Sequence, residues 1–304
     1  MTQPERYSPE LGLAFGAITV SFSAPIVRLL QTPPTVTAFY RMLFGGLILL
    51  VIVLSRRERP RFSSRALLLA GACGLAFACD LSLWHRCIRL VGPGLATLLV
   101  GLQVFFMAAF GLFFRHERIS RRLVLGILLS VVGLALIVGV DWRTGGREYR
   151  LGVALGVLTA LCYTTYLLFL RQLQGRADNA AQMANLSLLS LISAGFLGMF
   201  SLWQRESFAI SGTGTAGLLV LYGIIGQVIA WVLMSRALPR IRTSIAGLLL
   251  LLQPTLSSVW DVIFFHRRVT APELLGAALA LGAIYLGATG GGKAGEPRAL
   301  PISD

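Results

Sequence analysis

Charged side chains are scarce in this chain of 304 residues, since Asp, Glu, Lys and Arg make up only 13% of it. Soluble domains carry about 25% charged residues, so the chain lacks the charge that a water-facing surface needs. Hydrophobic residues make up 56% of the sequence, and the mean hydropathy is +0.76. This composition predicts an integral membrane protein and excludes water-soluble enzymes.

Cysteine and histidine are also rare, with four and three residues. The chain has no Cys-x-x-Cys pair, no His-Glu-x-x-His and no Gly-x-Ser-x-Gly sequence, so neither a metal site nor a hydrolase is supported. Residues 287–293 match the Gly-x-x-x-x-Gly-Lys core of a phosphate-binding loop. However, Ala294 stands where such a loop needs a Ser or Thr hydroxyl for Mg²⁺. We expect no enzyme activity and no cofactor.

Long apolar runs follow one another along nearly the whole chain. A helix that spans a bilayer needs about 20 predominantly apolar residues, and ten runs have about this length. The runs are continuous rather than alternating, which favours helices over the strands of a membrane barrel. Breakers such as Gly92-Pro93-Gly94 separate them. We predict an all-α integral membrane protein with ten transmembrane helices at residues 11–27, 36–54, 66–84, 95–114, 123–140, 151–170, 183–203, 216–235, 244–265 and 274–289.

Basic residues outnumber acidic ones by 27 to 13. They cluster between the apolar runs, so a bilayer explains them better than nucleic acid does, and no nucleic-acid partner is expected. An even number of spans places both termini on one side of the membrane. That side receives 17 basic residues and the other side 9. By the positive-inside rule, both termini are expected to be cytoplasmic.

The chain is internally duplicated, because residues 95–126 match residues 245–276 at a constant offset of 150. The matched identities include Gln103 with Gln253, and Leu-Gly-x-Ala-x-Gly recurs at 11–16 and 151–156. Each half holds five predicted helices, and because five is odd, the second half enters the membrane from the opposite side. We predict a 5+5 inverted repeat around a central cavity, with halves at 11–140 and 151–289 and cytoplasmic tails at 1–10 and 290–304. Inverted repeats are common in secondary transporters.

The sequence resembles the drug/metabolite transporter (DMT) superfamily, specifically its ten-helix EamA-type exporters. The likeness rests on Pro34 with Arg41, on Leu102-Gln103 through His116-Glu117-Arg118 to Gly126 and Gly133, and on Leu252-Gln253-Pro254 through Gly276. It is nearest to YddG-type exporters of aromatic and other amino acids. The resemblance implies ten helices around a central cavity and a multi-pass protein of the bacterial cytoplasmic (inner) membrane. Val104 in place of the usual proline and Arg267 in place of an acidic residue depart from the pattern.

Charged residues inside the apolar runs are the first candidates for function, because burying one at a helix centre costs about 2.5–3.5 kcal/mol. Arg41 either attracts a substrate carboxylate or hydrogen-bonds to carbonyl groups of other helices. Asp80 either attracts a substrate ammonium group, carries a proton, or pairs with a nearby Arg. His85 lies one residue past the third run and is a further candidate for a charge role.

Matching positions of an inverted repeat lie on opposite walls of a shared cavity, so polar or aromatic residues there are predicted to face inward. Gln103 and Gln253 are the clearest pair and are expected to face each other near the bilayer midplane. Helical spacing puts Phe77, Asp80 and Trp84 on one face of the third run. The predicted cavity residues are Thr19, Phe77, Asp80, Trp84, Gln103, Thr159, Tyr163, Tyr166, Gln227, Trp231 and Gln253.

Together these features predict a secondary transporter rather than an enzyme, with the lipid bilayer and a small-molecule substrate as partners. The oligomeric state stays open. The expected activity is export of small metabolites by alternating access, foremost amino acids with aromatic or other apolar side chains. The alternative is efflux of lipophilic or quaternary cations or drugs, with Asp80 as the counter-charge. A remoter alternative is a non-transporting subunit of a membrane assembly.

Overall fold

The computed structural model describes residues 8–56, 62–115, 121–138, 146–175, 177–266 and 271–289. Within these ranges the chain is helical and contains no strand, as the continuous apolar runs predict. Most of the two predicted tails, residues 1–7 and 290–304, lies outside the described residues. The α-helices are α1 (Pro9–Ser21), α2 (Ser23–Leu29), α3 (Pro34–Ser55), α4 (Ser64–Val100), α5 (Gln103–Arg115), α6 (Arg121–Val138), α7 (Arg147–Gln174), α8 (Asn179–Trp203), α9 (Gly212–Gly223), α10 (Ala230–Ala237), α11 (Thr243–Leu249), α12 (Leu252–Phe265) and α13 (Ala271–Thr289).

Seven helical stretches within the described residues are long and apolar enough to cross a membrane. They are Pro9–Leu29, Pro34–Ser55, Ser64–Gly92, Arg147–Gln174, Ala180–Trp203, Gly212–Arg240 and Thr243–Phe265. The described residues of the predicted runs 95–114, 123–140 and 274–289 are also largely helical, chiefly in α5, α6 and α13. The helical membrane architecture is therefore confirmed, while the count of ten spans stays a prediction.

Local sequence explains where several helices begin and end. The Ser8 hydroxyl accepts a hydrogen bond from the Leu11 backbone N–H at 3.2 Å and caps α1, and the Asp178 carboxylate caps α8 in the same way. Proline occupies the first turn of α1 and of α3, where its missing N–H costs no hydrogen bond. Gly92 takes a left-handed conformation with φ of 83° and breaks α4, as the Gly-Pro-Gly sequence predicts.

Glycines allow neighbouring helices to approach closely in the interior of the bundle. A Cβ atom added at Gly16 of α1 would lie 2.9 Å from the Ala230 carbonyl oxygen of α10. A Cβ atom at Gly45 of α3 would lie 2.5 Å from the Cβ of Gln227. Such contacts replace the hydrophobic driving force that membrane helices lack between one another.

Four predicted spans are not continuous α-helices within the described residues. The run 11–27 is interrupted at Phe22, and the run 216–235 contains a π-helical turn at Ile224–Ile229. The run 95–114 is interrupted at Gly101-Leu102, and the run 244–265 at Leu250-Leu251. The last two interruptions are tight turns with hydrogen bonds between residues three apart, such as Leu102 N–H to Leu99 C=O at 3.1 Å. Gly101 weakens the helix at the first of these turns. At the second, Pro254 has no N–H to bond to the Leu250 carbonyl, and its ring crowds that carbonyl. The first of them lies directly before Gln103, and the second is separated from Gln253 by one residue, so the two are within one residue of matching points of the duplicated sequence.

Candidate functional site

A cavity lies among seven helices of the bundle. The volume that the centres of water molecules can occupy in it is about 60 Å³. Since one water needs about 15 Å³ by this measure, the cavity has room for about four waters. Its walls come from α1, α2, α3, both parts of α4, α7, α10 and α12. The lining residues are Val20, Ser23, Ala24, Arg41, Phe77, Asp80, Leu81, Trp84, Thr97, Val100, Tyr163, Trp231, Gln253 and Ser257.

The structure brings many of the predicted site residues together at this cavity. Phe77, Asp80, Trp84, Tyr163, Trp231 and Gln253 all line it, and so does Arg41. The remaining predicted residues, Thr19, Gln103, Thr159, Tyr166, Gln227 and His85, do not line it.

Aromatic rings form one wall of the cavity. Phe77 stacks on Tyr166 with ring centroids 4.0 Å apart, and Trp231 meets the edges of both rings at 5.2 and 4.7 Å. Tyr166 thus supports the wall from behind, since it is fully buried without lining the cavity. Offset stacked and edge-to-face rings are favourable geometries that hold such a wall rigid.

Arg41 lies in α3 and is only 3% exposed. Its Nη1 donates to the Tyr222 hydroxyl at 3.1 Å, and its Nη2 donates to the Gly226 carbonyl at 2.8 Å. Its Nε is buried without a hydrogen-bond partner. The guanidinium group also lies 5.5 Å from the centre of the Phe77 ring. Arg41 therefore hydrogen-bonds to a carbonyl group of another helix, as one prediction holds, and it also borders the cavity, where the other prediction places a substrate carboxylate.

Asp80 in α4 borders the same cavity and is 5% exposed. Its carboxylate makes no hydrogen bond and no ion pair with the residues that the structure describes. The pairing with Arg41 or Arg86 that the sequence left open is thus not formed in this conformation. A buried charge costs free energy unless it is paired. A positively charged group that enters the cavity would therefore be attracted to this carboxylate.

Several hydrogen-bond donors at the cavity are also without partners. The Ser23 hydroxyl, the indole N–H groups of Trp84 and Trp231, and the Arg41 Nε are buried and make no hydrogen bond within the described chain. All four residues line the cavity. A buried polar group without a partner costs about 1–3 kcal/mol. A ligand that offers acceptor oxygens would satisfy these donors.

Gln253 pairs with Tyr163 rather than with Gln103. Its Nε2 donates to the Tyr163 hydroxyl at 3.0 Å, and that hydroxyl lies 3.4 Å from its Oε1. Gln103 is 1% exposed, lies outside the cavity lining, and its Oε1 has no partner. The two glutamines thus each lie just after a helix break, yet only Gln253 borders the cavity.

Four other predicted polar residues outside the lining each make at least one hydrogen bond within the helix bundle, while Gln227 Oε1 and His85 Nε2 are buried without a partner among the described residues. Thr19 and Thr159 each donate to the carbonyl four residues earlier, at 2.8 Å. Gln227 donates from Nε2 to the Ser190 hydroxyl at 2.8 Å. His85 Nδ1 lies 2.7 Å from the Leu81 carbonyl. Such local bonds compete with a cavity-facing orientation.

Three polar cavity residues were not found by reasoning from sequence, namely Ser23, Thr97 and Ser257. Ser257 follows Gln253 by four residues, so helical spacing was the signal that identifies it. Ser23 begins α2, directly after the interruption at Phe22, and no periodic pattern points to it. Thr97 lies between the break at Gly92 and the break at Gly101, where a simple helical projection fails.

Comparison with known proteins gives two matches to one family model, described as the EamA-like transporter family, over residues 8–139 and 150–289. The Uncharacterized transporter YvbV of Bacillus subtilis (strain 168) is 25% identical over 291 residues, covering 94% of this chain and 93% of that protein. An Uncharacterized transporter of Archaeoglobus fulgidus is 22% identical over 279 residues, covering 91% of this chain and 95% of that protein. An Uncharacterized transporter of Haemophilus influenzae is 24% identical over 283 residues, covering 88% of this chain and 90% of that protein.

The fold is also similar to that of a protein solved by crystallography. The two structures align with a TM-score of 0.74 over 92% of this chain and 97% of the other, at 18% sequence identity. At this identity the likeness concerns the fold alone.

Proposed function

Because this chain belongs to the EamA-like transporter family of the DMT superfamily, we propose that it exports amino acids with aromatic or other apolar side chains. It is a multi-pass membrane protein and a membrane transporter, like the relatives that share most of its length. The proposed mechanism is alternating access, in which the cavity opens to one side of the membrane at a time.

The observation that carries the choice of substrate is the presence of Arg41 and Asp80 at one aromatic-walled cavity. A zwitterion complements both charges, whereas a cation complements only Asp80. A cation about 6 Å from the guanidinium would be repelled by about 3 kcal/mol at an effective dielectric constant of about 20. The pair of opposite charges therefore favours an amino acid over a lipophilic cation.

The lining atoms suit the three parts of such a substrate. Its ammonium group would bind the Asp80 carboxylate, which has no partner among the described residues. Its carboxylate would accept from the Arg41 Nε and from the indole N–H groups of Trp84 and Trp231. Its apolar side chain would lie against the ring of Phe77. Aromatic side chains bind such groups through area and ring geometry.

The cavity is too small for an amino acid in this conformation, which is consistent with alternating access. Pockets that enclose a small ligand usually have volumes of about 300–1,000 Å³, whereas this cavity has room for about four waters. The helices around it must separate before an amino acid enters. The present conformation is thus contracted.

Two features support the proposed 5+5 inverted repeat with ten spans and halves at 11–140 and 151–289. The family model matches the chain twice, and each match covers most of one proposed half. The helix breaks at Gly101-Leu102 and Leu250-Leu251 lie within one residue of matching points of the duplicated sequence. Discontinuous helices in corresponding positions of two halves are typical of transporter binding sites.

Efflux of lipophilic cations is the second candidate, favoured by the unpaired carboxylate of Asp80 beside aromatic rings. Purified protein in liposomes separates the two. Vesicles are loaded with labelled phenylalanine, tryptophan, leucine, aspartate or tetraphenylphosphonium, and their release is measured. We expect release of the three apolar amino acids but not of aspartate or the phosphonium ion. Release of the phosphonium ion alone would contradict the proposal.

A further inference from the structure

A π-helical turn, Ile224–Ile229, joins α9 to α10 in the wall of the cavity. The Ala230 N–H donates to the Ile225 carbonyl, five residues earlier, where an α-helix would bond to the residue four earlier. Such turns hold one extra residue and occur frequently at functional sites. Since one residue of α-helix corresponds to a rotation of about 100°, the turn decides which side of α10 faces the cavity.

Arg41 binds this turn from the neighbouring helix α3. Its Nη2 donates to the Gly226 carbonyl inside the turn at 2.8 Å, and its Nη1 donates to the Tyr222 hydroxyl just before the turn at 3.1 Å. The guanidinium carbon also lies 5.0 Å from the centre of the Tyr222 ring. One helical turn further along α3, Gly45 lets the Gln227 side chain pack directly on the backbone.

The turn determines the orientation of two side chains, that of Gln227 within the turn and that of Trp231 just after it. Gln227 points away from the cavity and donates to Ser190 of α8 at 2.8 Å. Trp231, four residues later, is 1% exposed and packs against the rings of Phe77 and Tyr166 in the cavity wall. Rewinding the turn as α-helix would rotate Trp231 out of this wall.

We propose that Arg41 is a positioning residue that stabilises the π-helical turn and thereby places Trp231 in the cavity wall. Its planar fork reaches two acceptors at once, the Tyr222 hydroxyl and the Gly226 carbonyl. A lysine in the same place has one point charge and cannot reproduce this arrangement. The inference deepens the proposed function, because it concerns the same cavity, but it does not depend on the identity of the transported solute.

Hydrogen exchange of the full chain in lipid nanodiscs tests the proposal directly. We measure deuterium uptake of peptides that cover residues 222–231 in Tyr222→Phe and Arg41→Lys. Loss of one hydrogen bond is expected to speed uptake there about fivefold, and the Arg41 variant is expected to exceed the Tyr222 variant. Tyr40→Phe is the matched control, because it removes a tyrosine hydroxyl of α3 that donates to the Phe208 carbonyl. Its uptake in residues 222–231 should stay unchanged.

The position of Trp231 is followed in the same variants by ¹⁹F spectroscopy after incorporation of fluorotryptophan. We expect the Trp231 resonance to shift in Tyr222→Phe and Arg41→Lys but not in Tyr40→Phe. Trp203, which is 82% exposed at the end of α8, provides an unaffected resonance in each spectrum.

The results decide the proposal whether or not every variant folds. If Arg41→Lys does not assemble, Tyr222→Phe alone decides, since it removes only one hydroxyl. Unchanged uptake at 222–231 in the folded variants overturns the proposal. Faster uptake spread equally over α8 and α13 also overturns it, because this indicates general loosening. If no amino acid is transported by the natural chain, the proposed function fails, while the exchange result on Arg41 still stands.

Discussion

Replacing Asp80 by Asn tests whether the charge in the cavity serves a ligand or the fold. Asn has nearly the shape of Asp, so the packing of α4 is retained while the charge is removed. In the structure Asp80 is 5% exposed, and its carboxylate makes no hydrogen bond or ion pair with the described part of the chain. A charge that is buried for the sake of the fold would have a partner.

The substitution is expected to change stability and affinity in opposite directions. Asn carries no charge, so its burial costs less than that of an unpaired carboxylate, and the melting temperature is expected to rise; the scale for domains of about 150–250 residues is about 2–4 °C for each kcal/mol. Loss of a charged hydrogen bond to the substrate ammonium costs about 1.5–3 kcal/mol of binding. That corresponds to a half-saturating concentration about 10- to 150-fold higher.

Both quantities are measured on the same preparation. Thermal unfolding is followed by tryptophan fluorescence in nanodiscs, and the half-saturating concentration comes from counterflow of labelled phenylalanine in liposomes. Leu128→Met is the control, because Leu128 lies exposed on α6 and should affect neither quantity. A lower melting temperature together with unchanged transport in Asp80→Asn would refute the reasoning and assign Asp80 to the fold.

Three further predictions concern the site, the packing and the topology. In a background without the four native cysteines, Cys at position 253 should react with a water-soluble thiol reagent and substrate should slow the reaction, whereas Cys at 103 should stay inert because Gln103 is 1% exposed. Gly16→Leu should lower the melting temperature strongly, because its Cβ would lie 2.9 Å from the Ala230 carbonyl oxygen; Gly217→Leu, which meets nothing within 4 Å, should not. Reporter fusions should place both termini in the cytoplasm.

Different outcomes would contradict each of these expectations. Equal labelling of positions 103 and 253 would mean that both glutamines border the solute pathway. Equal stability of the two glycine variants would show that α1 and α10 are not held by close contact. Reporters on opposite sides would refute an even number of spans, and two periplasmic reporters would refute the orientation.

Much of the architecture is predictable from local sequence alone. The apolar runs predict the helices, and proline and glycine predict several of their ends, as at Pro34 and at Gly92 with its φ of 83°. The spacing of Phe77, Asp80 and Trp84 correctly places these side chains on one face, since all three border the cavity. A regular helix turns by a fixed angle for each residue, so this part of the site follows from counting.

The irregular turns were not predictable in this way. Residues 224–229 contain no proline, and an ordinary α-helix would satisfy them equally well. Gly101 and Pro254 weaken the helix at the pairs Gly101-Leu102 and Leu250-Leu251, but they do not specify the conformation that replaces it. The choice at the π-helical turn depends on Arg41, which binds a carbonyl group 185 positions away along the chain. Each such turn shifts the helical register of the residues after it. Gln103 would face Gln253 across the cavity only if the register of its helix were not shifted.

By itself, the sequence determined that the protein lies in a membrane, that it is helical and where most helices run. These properties follow from hydrophobicity, which adds up along the chain. Only the tertiary structure decided which polar groups are paired and which stay unpaired at the cavity. Gln227 binds Ser190 and Gln253 binds Tyr163, whereas Asp80 keeps no partner among the described residues. A hydrogen bond needs a partner within about 3 Å, and in this protein that partner often comes from a distant helix.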